Sequence, residues 1–74
     1  MVQTNRVKAK IVERGLRYND VAEYLDIDYA TLSLKLSNKR RIYLDEVAKI
    51  CTLLKITTAE ELKYYFELDF LILS

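Results

Sequence analysis

Three consecutive cations, Lys39-Arg40-Arg41, are the densest chemical feature of this 74-residue sequence. They follow a short helical pattern, which leaves two roles open. One is a solvated basic loop favoured by the negative end of a helix. The other is a clamp on phosphate oxygens, which Lys holds as a point charge and Arg in a two-point fork. Residues for covalent or acid–base chemistry are scarce: the chain has no His, one Cys and one Gly. A single thiol without His forms no nucleophile–base pair, and one Gly cannot build a glycine-rich phosphate loop. Cys51 alone makes no internal disulfide and completes no zinc site. The expectation is therefore a binding protein that is not an enzyme and needs no cofactor or metal.

The elements that position these cations must fit into one small domain spanning residues 1–74. A chain of this length buries only about 60% of its unfolded surface, and its 51% apolar content offsets that thin margin. The absence of a leader-like N-terminus and of any apolar run near the roughly 20 residues of a membrane span predicts a cytoplasmic protein with no membrane partner. Net charge is +1, but it is unevenly spread. Nine basic residues face five acidic ones up to Arg41, and three face six from Ile42 onward, so the halves carry +4 and −3. A basic half is what a phosphate-binding surface needs.

Apolar spacing and end signals divide the chain into five helices. Residues 1–4 read as a loose arm. Asn5 is placed as the cap of a first helix over about Asn5–Arg14, with Val7, Ile11 and Val12 inward, ended by Gly15. A second helix runs from Tyr18–Asn19 to about Leu25, and Asp26 is expected at positive φ. Asp28 should cap a third helix, Tyr29 to about Ser37, with Leu32 and Leu36 inward and Tyr29, Ala30, Ser33 and Leu34 outward. Leu44, Val47, Ala48, Ile50, Cys51 and Leu54 form the stripe of a fourth helix. Thr58 and Glu61 make a capping box for a fifth, with Leu62, Tyr65 and Phe66 inward. Helices two and three, meeting at Asp26-Ile27-Asp28, form a helix-turn-helix, a motif that can lay its second helix in the DNA major groove.

The run Ala22, Leu25, Ile27, Asp28, Thr31, Leu32, Ser33 resembles the helix-turn-helix of phage Cro/CI-type (XRE-like) regulators. The resemblance extends from Asn5-Arg6, through Gly15-Leu16, to Leu44-Asp45-Glu46 and Ile56. It implies an all-α, compact five-helix repressor-like domain with helices two and three at its centre. It also implies that Tyr29, Ala30, Ser33 and Leu34 face bases, and that Arg6, Asn19, Lys35, Asn38, Lys39, Arg40, Arg41 and Tyr43 meet phosphates. Here Asp26 stands where the family most often has Gly, Asn38 takes the role of another usual Gly, and Tyr29 and Leu34 replace the long polar residues that relatives often carry. The apolar run Phe70–Leu73 can fold back, extend helix five or meet a second subunit. The family favours the last, a homodimer through residues 62–73.

Two functions follow. The preferred one is a DNA-binding transcriptional regulator that reads a double-stranded operator as a dimer. The alternative is a protein-interaction module on the same scaffold that binds and modulates a phage repressor. The near-neutral net charge, the apolar outward face of helix three, and Asp26 and Asp28 beside it favour the alternative.

Overall fold

The computed structural model describes residues 1–67. Its helices are α1 (Thr4–Glu13), α2 (Tyr18–Leu25), α3 (Tyr29–Leu36), α4 (Leu44–Leu54) and α5 (Ala59–Phe66), with no strand among the described residues. The all-α, five-helix expectation holds. α2 packs on both α3 and α4, and α1 lies against α5.

One device ends four of these helices. Gly15 (φ 73°), Asp26 (φ 59°), Asn38 (φ 65°) and Lys55 (φ 58°) are all left-handed. The amide of the residue after each returns to a carbonyl of the helix: Leu16 to Ile11 (3.0 Å), Ile27 to Ala22 (3.0 Å), Lys39 to Leu34 (2.9 Å) and Ile56 to Cys51 (2.8 Å). This double-bonded C-cap satisfies carbonyls that would otherwise lack donors. In three of the four the returning residue is aliphatic and rests on the core. At the end of α3 it is Lys39, which is exposed. The same backbone turn that elsewhere buries an aliphatic side chain therefore puts the basic run on the surface.

Helix starts follow local capping chemistry. The Asp28 carboxylate accepts from the Thr31 amide (2.7 Å), and its pKa is held low by the Thr31 side chain first and by that amide second, with the Arg40 charge a smaller contribution. Asp20 and Glu46 accept from the amides of Arg17 (2.8 Å) and Tyr43 (2.9 Å). Thr58 accepts from the Glu61 amide (3.1 Å), with the reciprocal bond to the Glu61 carboxylate at 3.1 Å. α1 departs from expectation. It starts at Thr4, so Asn5 is not its cap, and Gln3 at the cap position makes no side-chain bond to it.

Core residues from all five helices form one cluster, in which Val7, Leu32, Leu36, Ile50 and Leu54 are wholly buried. Ile11 and Leu36, both expected inward, belong to it. Three expectations are corrected. Val12 is 69% exposed, because the α1 face that meets the core is carried by Val7 and Ile11 alone. Leu44 and Ala48 lie outside the α4 stripe, whose buried members are Val47, Ile50 and Leu54. Residues 1–4 are not a loose arm. Val2 is buried, its N–H donates to Asn38 Oδ1 (2.8 Å) and its carbonyl accepts from Asn38 Nδ2 (2.9 Å). The Gln3 amide donates to the Tyr65 carbonyl (2.8 Å) and the Thr4 hydroxyl to that of Leu36 (2.6 Å).

The run Phe70–Leu73 lies outside the described residues. Within 62–67, Leu62 and Phe66 belong to the core of this chain, which takes them out of the expected dimer contact. No described helix is long and apolar enough to cross a membrane.

Candidate nucleic-acid interface

Burial of Leu32 and Leu36 fixes the rotation of α3 and so decides what its other side presents. Ala30 is exposed, Tyr29 is 54% exposed, and Ser33 and Leu34 are half-buried. All four expected base-facing residues therefore lie outside the core. Tyr29 and Ser33 open onto a cleft of about 490 Å³ between α1, the start of α2 and α3. The Tyr29 ring lies 5.9 Å from that of Tyr18, tilted by 45°. Tyr18 is half-buried, and burial, then the neighbouring Tyr29, pushes its phenol pKa up. At neutral pH it is an uncharged hydrogen-bonding group.

The same cleft is lined by Asn19, one of the expected phosphate residues, and by Lys8 and Arg17, which sequence reasoning missed. A signal for both was present. Lys8 follows buried Val7 by one residue, and Arg17 precedes the first residue of α2, where a long side chain reaches past the helix start. A second cleft, of about 340 Å³, is lined by Lys39, Arg40 and Arg41 of the loop after α3 together with Met1 and Val2, Leu44 and Val47 of α4, and Phe66 of α5. Tyr43, 56% exposed, stands just before α4.

Three expected phosphate residues are corrected. The Lys35 ammonium donates to both Glu46 carboxylate oxygens (2.7 and 2.6 Å), and the two side chains are only 9% and 13% exposed. It also lies 5.1 Å from the Tyr43 ring. A cation held this way is spent inside the protein. Arg6 faces α5 instead: its guanidinium covers the Tyr64 ring (4.3 Å) and donates to the Tyr64 carbonyl (3.2 Å). The Asn38 amide has both functions taken by Val2, so this residue holds the loop and its side chain is not open to phosphate.

The remaining cations up to Arg41 sort the same way. Lys10 pairs with Glu13 (3.4 Å) and Arg14 donates to the Leu54 carbonyl (2.9 Å). Lys8, Arg17, Lys39, Arg40 and Arg41 have no side-chain hydrogen bond or ion pair among the described residues; Lys8 and Arg17 line the cleft beside α3, and Lys39, Arg40 and Arg41 line the one at the loop that follows it. Asn19 and Tyr43 add neutral donors. Cys51, half-buried on α4, has its thiol pKa raised to about 11 by burial and by the Glu61 charge, which makes it unreactive. No group of metal-ligating side chains occurs among the described residues.

A short capped helix beneath a left-handed corner, backed by leucines and flanked by free cations, is the architecture of a helix-turn-helix DNA-binding domain. The Cro/C1-type HTH DNA-binding domain matches residues 6–67, and the chain belongs to that family. Comparison with curated proteins and with solved structures gives no match.

Proposed function

We propose that the protein is a sequence-specific transcriptional regulator of the phage Cro/repressor kind, which inserts α3 into the major groove of an operator. Tyr29, Ala30, Ser33 and Leu34 face base edges. Lys8, Arg17, Asn19, Lys39, Arg40, Arg41 and Tyr43 hold the phosphates on either side. The observation that carries this is the disposition of cations in the basic half: Arg6, Lys10, Arg14 and Lys35 are engaged by neighbours within the chain, whereas Lys8 and Arg17 line the cleft beside α3 and Lys39, Arg40 and Arg41 stand open on the loop that follows it. Such a regulator works in the cytoplasm and reads two half-sites as a homodimer, with the second copy engaged outside the buried Leu62 and Phe66. The test is fluorescence anisotropy on duplex DNA from 50 to 300 mM salt. Affinity should fall steeply as phosphate contacts release counterions. Binding that hardly changed with salt would overturn the assignment.

A second reading is supported by the apolar share of the α1–α3 cleft, where Val12 (69% exposed) and Tyr29 (54% exposed) stand open. Such a surface suits a protein partner, and a phage repressor modulated by this chain fits the scaffold. It gains if Leu34→Asp abolishes function while Arg40→Ala and Arg41→Ala leave it intact. The opposite pattern supports the DNA assignment.

A further inference from the structure

We propose that α3 reads thymine methyl groups in place of hydrogen-bond patterns, so that its binding site is specified by the positions of 5-methylpyrimidines. The inference rests on the DNA-binding assignment and goes beyond it to what the site discriminates. It starts from what α3 lacks. A base edge is usually read by a long, forked side chain: Arg or Lys on guanine, Asn or Gln on adenine. The outward residues of α3 include none. Lys35 is its one long polar side chain, and both carboxylate oxygens of Glu46 hold its ammonium in place. Ser33 remains as a short donor, half-buried at the cleft wall.

What α3 does present is apolar and stiff. Ala30 and Leu34 are four residues apart and share one row of the helix surface. Tyr29 begins the neighbouring row, and its ring is steadied by Tyr18 at 5.9 Å. In the major groove the only apolar feature of a base pair is the thymine C5 methyl. The exposed Ala30 methyl, the half-buried Leu34 isobutyl and the exposed Tyr29 ring match that feature, leaving the Tyr29 and Ser33 hydroxyls as the short polar groups of this surface.

The test uses duplexes selected from a random-sequence pool by the full chain. Thymines in the selected half-site are replaced one at a time by deoxyuridine, which removes the methyl and leaves the hydrogen-bonding edge unchanged. Affinity should fall about fourfold for each contacted methyl, the worth of one buried methyl group. A 5-methylcytosine–guanine pair at the same position keeps the methyl and changes the hydrogen-bonding pattern. It should restore affinity. The deoxyuridine penalty should shrink in Leu34→Ala and, with the helix packing untouched, in Tyr29→Ala. Salt-dependent binding with no penalty from any deoxyuridine would overturn methyl readout and leave the DNA assignment standing. A penalty unchanged in both variants would overturn the choice of residues. Failure to select any duplex with salt-dependent affinity would overturn the DNA assignment itself.

Discussion

Lys35→Met separates a structural lysine from a DNA-binding one. The substitution keeps most of the side-chain volume and removes the ammonium. Glu46 is then left 13% exposed, with the Tyr43 amide as the partner of one oxygen and nothing on the other. Removing one partner of a nearly buried pair costs about 3 to 5 kcal/mol, because the remaining charge stays desolvated. A domain of this size has a total stability of roughly 4 to 11 kcal/mol, so the loss removes about a quarter of it or more. Urea unfolding followed by circular dichroism should show a midpoint shift at unchanged slope. The double variant Lys35→Met/Glu46→Leu should regain most of the loss, since an apolar pair of similar volume replaces a buried ion pair at little cost. DNA binding gives the second measurement. Below its melting point Lys35→Met should keep the salt dependence of the native chain, whereas Lys39→Ala should lower the slope by about one. A Lys35→Met protein of native stability with a reduced salt slope would refute the reasoning and return Lys35 to the phosphate contacts.

Gly15→Ala and Asp26→Gly should have opposite signs, since both positions are left-handed and no atom crowds a Cβ at Gly15. Thermal melts should show about 1 kcal/mol lost in the first and a comparable gain in the second. Asn38→Gly keeps the left-handed turn but releases Val2. It should destabilise by about 1 to 2 kcal/mol, the worth of two hydrogen bonds, and proteolysis should then begin within residues 1–4. Cys51 should resist iodoacetamide at pH 8 until urea unfolds the chain, because a thiol of pKa about 11 is only on the order of a thousandth ionised there. Its folded pKa lies above the ordinary 9.0, so the unfolded chain loses this proton first. Stability should be unaffected below pH 9 and fall as pH rises from 9.0 towards about 11. The same decline in Cys51→Ala would show that another group is responsible.

Backbone chemistry was the legible part of this sequence. Gly15, Asp28 and Thr58 mark helix ends through interactions within four residues, and the apolar rhythm of Leu32 and Leu36 settles which way α3 faces. Long-range pairing was not legible. Nothing local to Val2 distinguishes a frayed end from a strap, because its anchor is Asn38, 36 residues away. Lys35 reads as a surface cation on its own helix, since its partner lies on α4, and Arg6 is captured by Tyr64 on α5. Val12 and Ala48 fit the apolar periodicity as well as their buried neighbours do. On short helices the buried stripe is narrow, and only the packing of neighbouring elements shows where it ends.

The near-neutral net charge, which counted against DNA in the sequence, loses that meaning once the cations are assigned. Screening limits exposed charges to about 8 Å at physiological salt, so a phosphate senses the side chains beside it and not the sum over the chain. Several cations of the basic half are cancelled or covered where they lie: Lys10 by Glu13, Lys35 by Glu46, Arg14 at the end of α4, Arg6 over Tyr64. Acidic residues of that half are also engaged, since Asp20 and Asp28 accept from the amides that open α2 and α3. Within that half, the cations left without a partner therefore lie beside α3 and on the loop that follows it. Two tethers fix the distal part of it. Asn38 binds Val2 on one side of the Lys39–Arg41 loop, and Glu46 joins Lys35 to the Tyr43 amide on the other. A loop held at both ends loses little further freedom when it meets a phosphate, which lowers the entropic cost of binding.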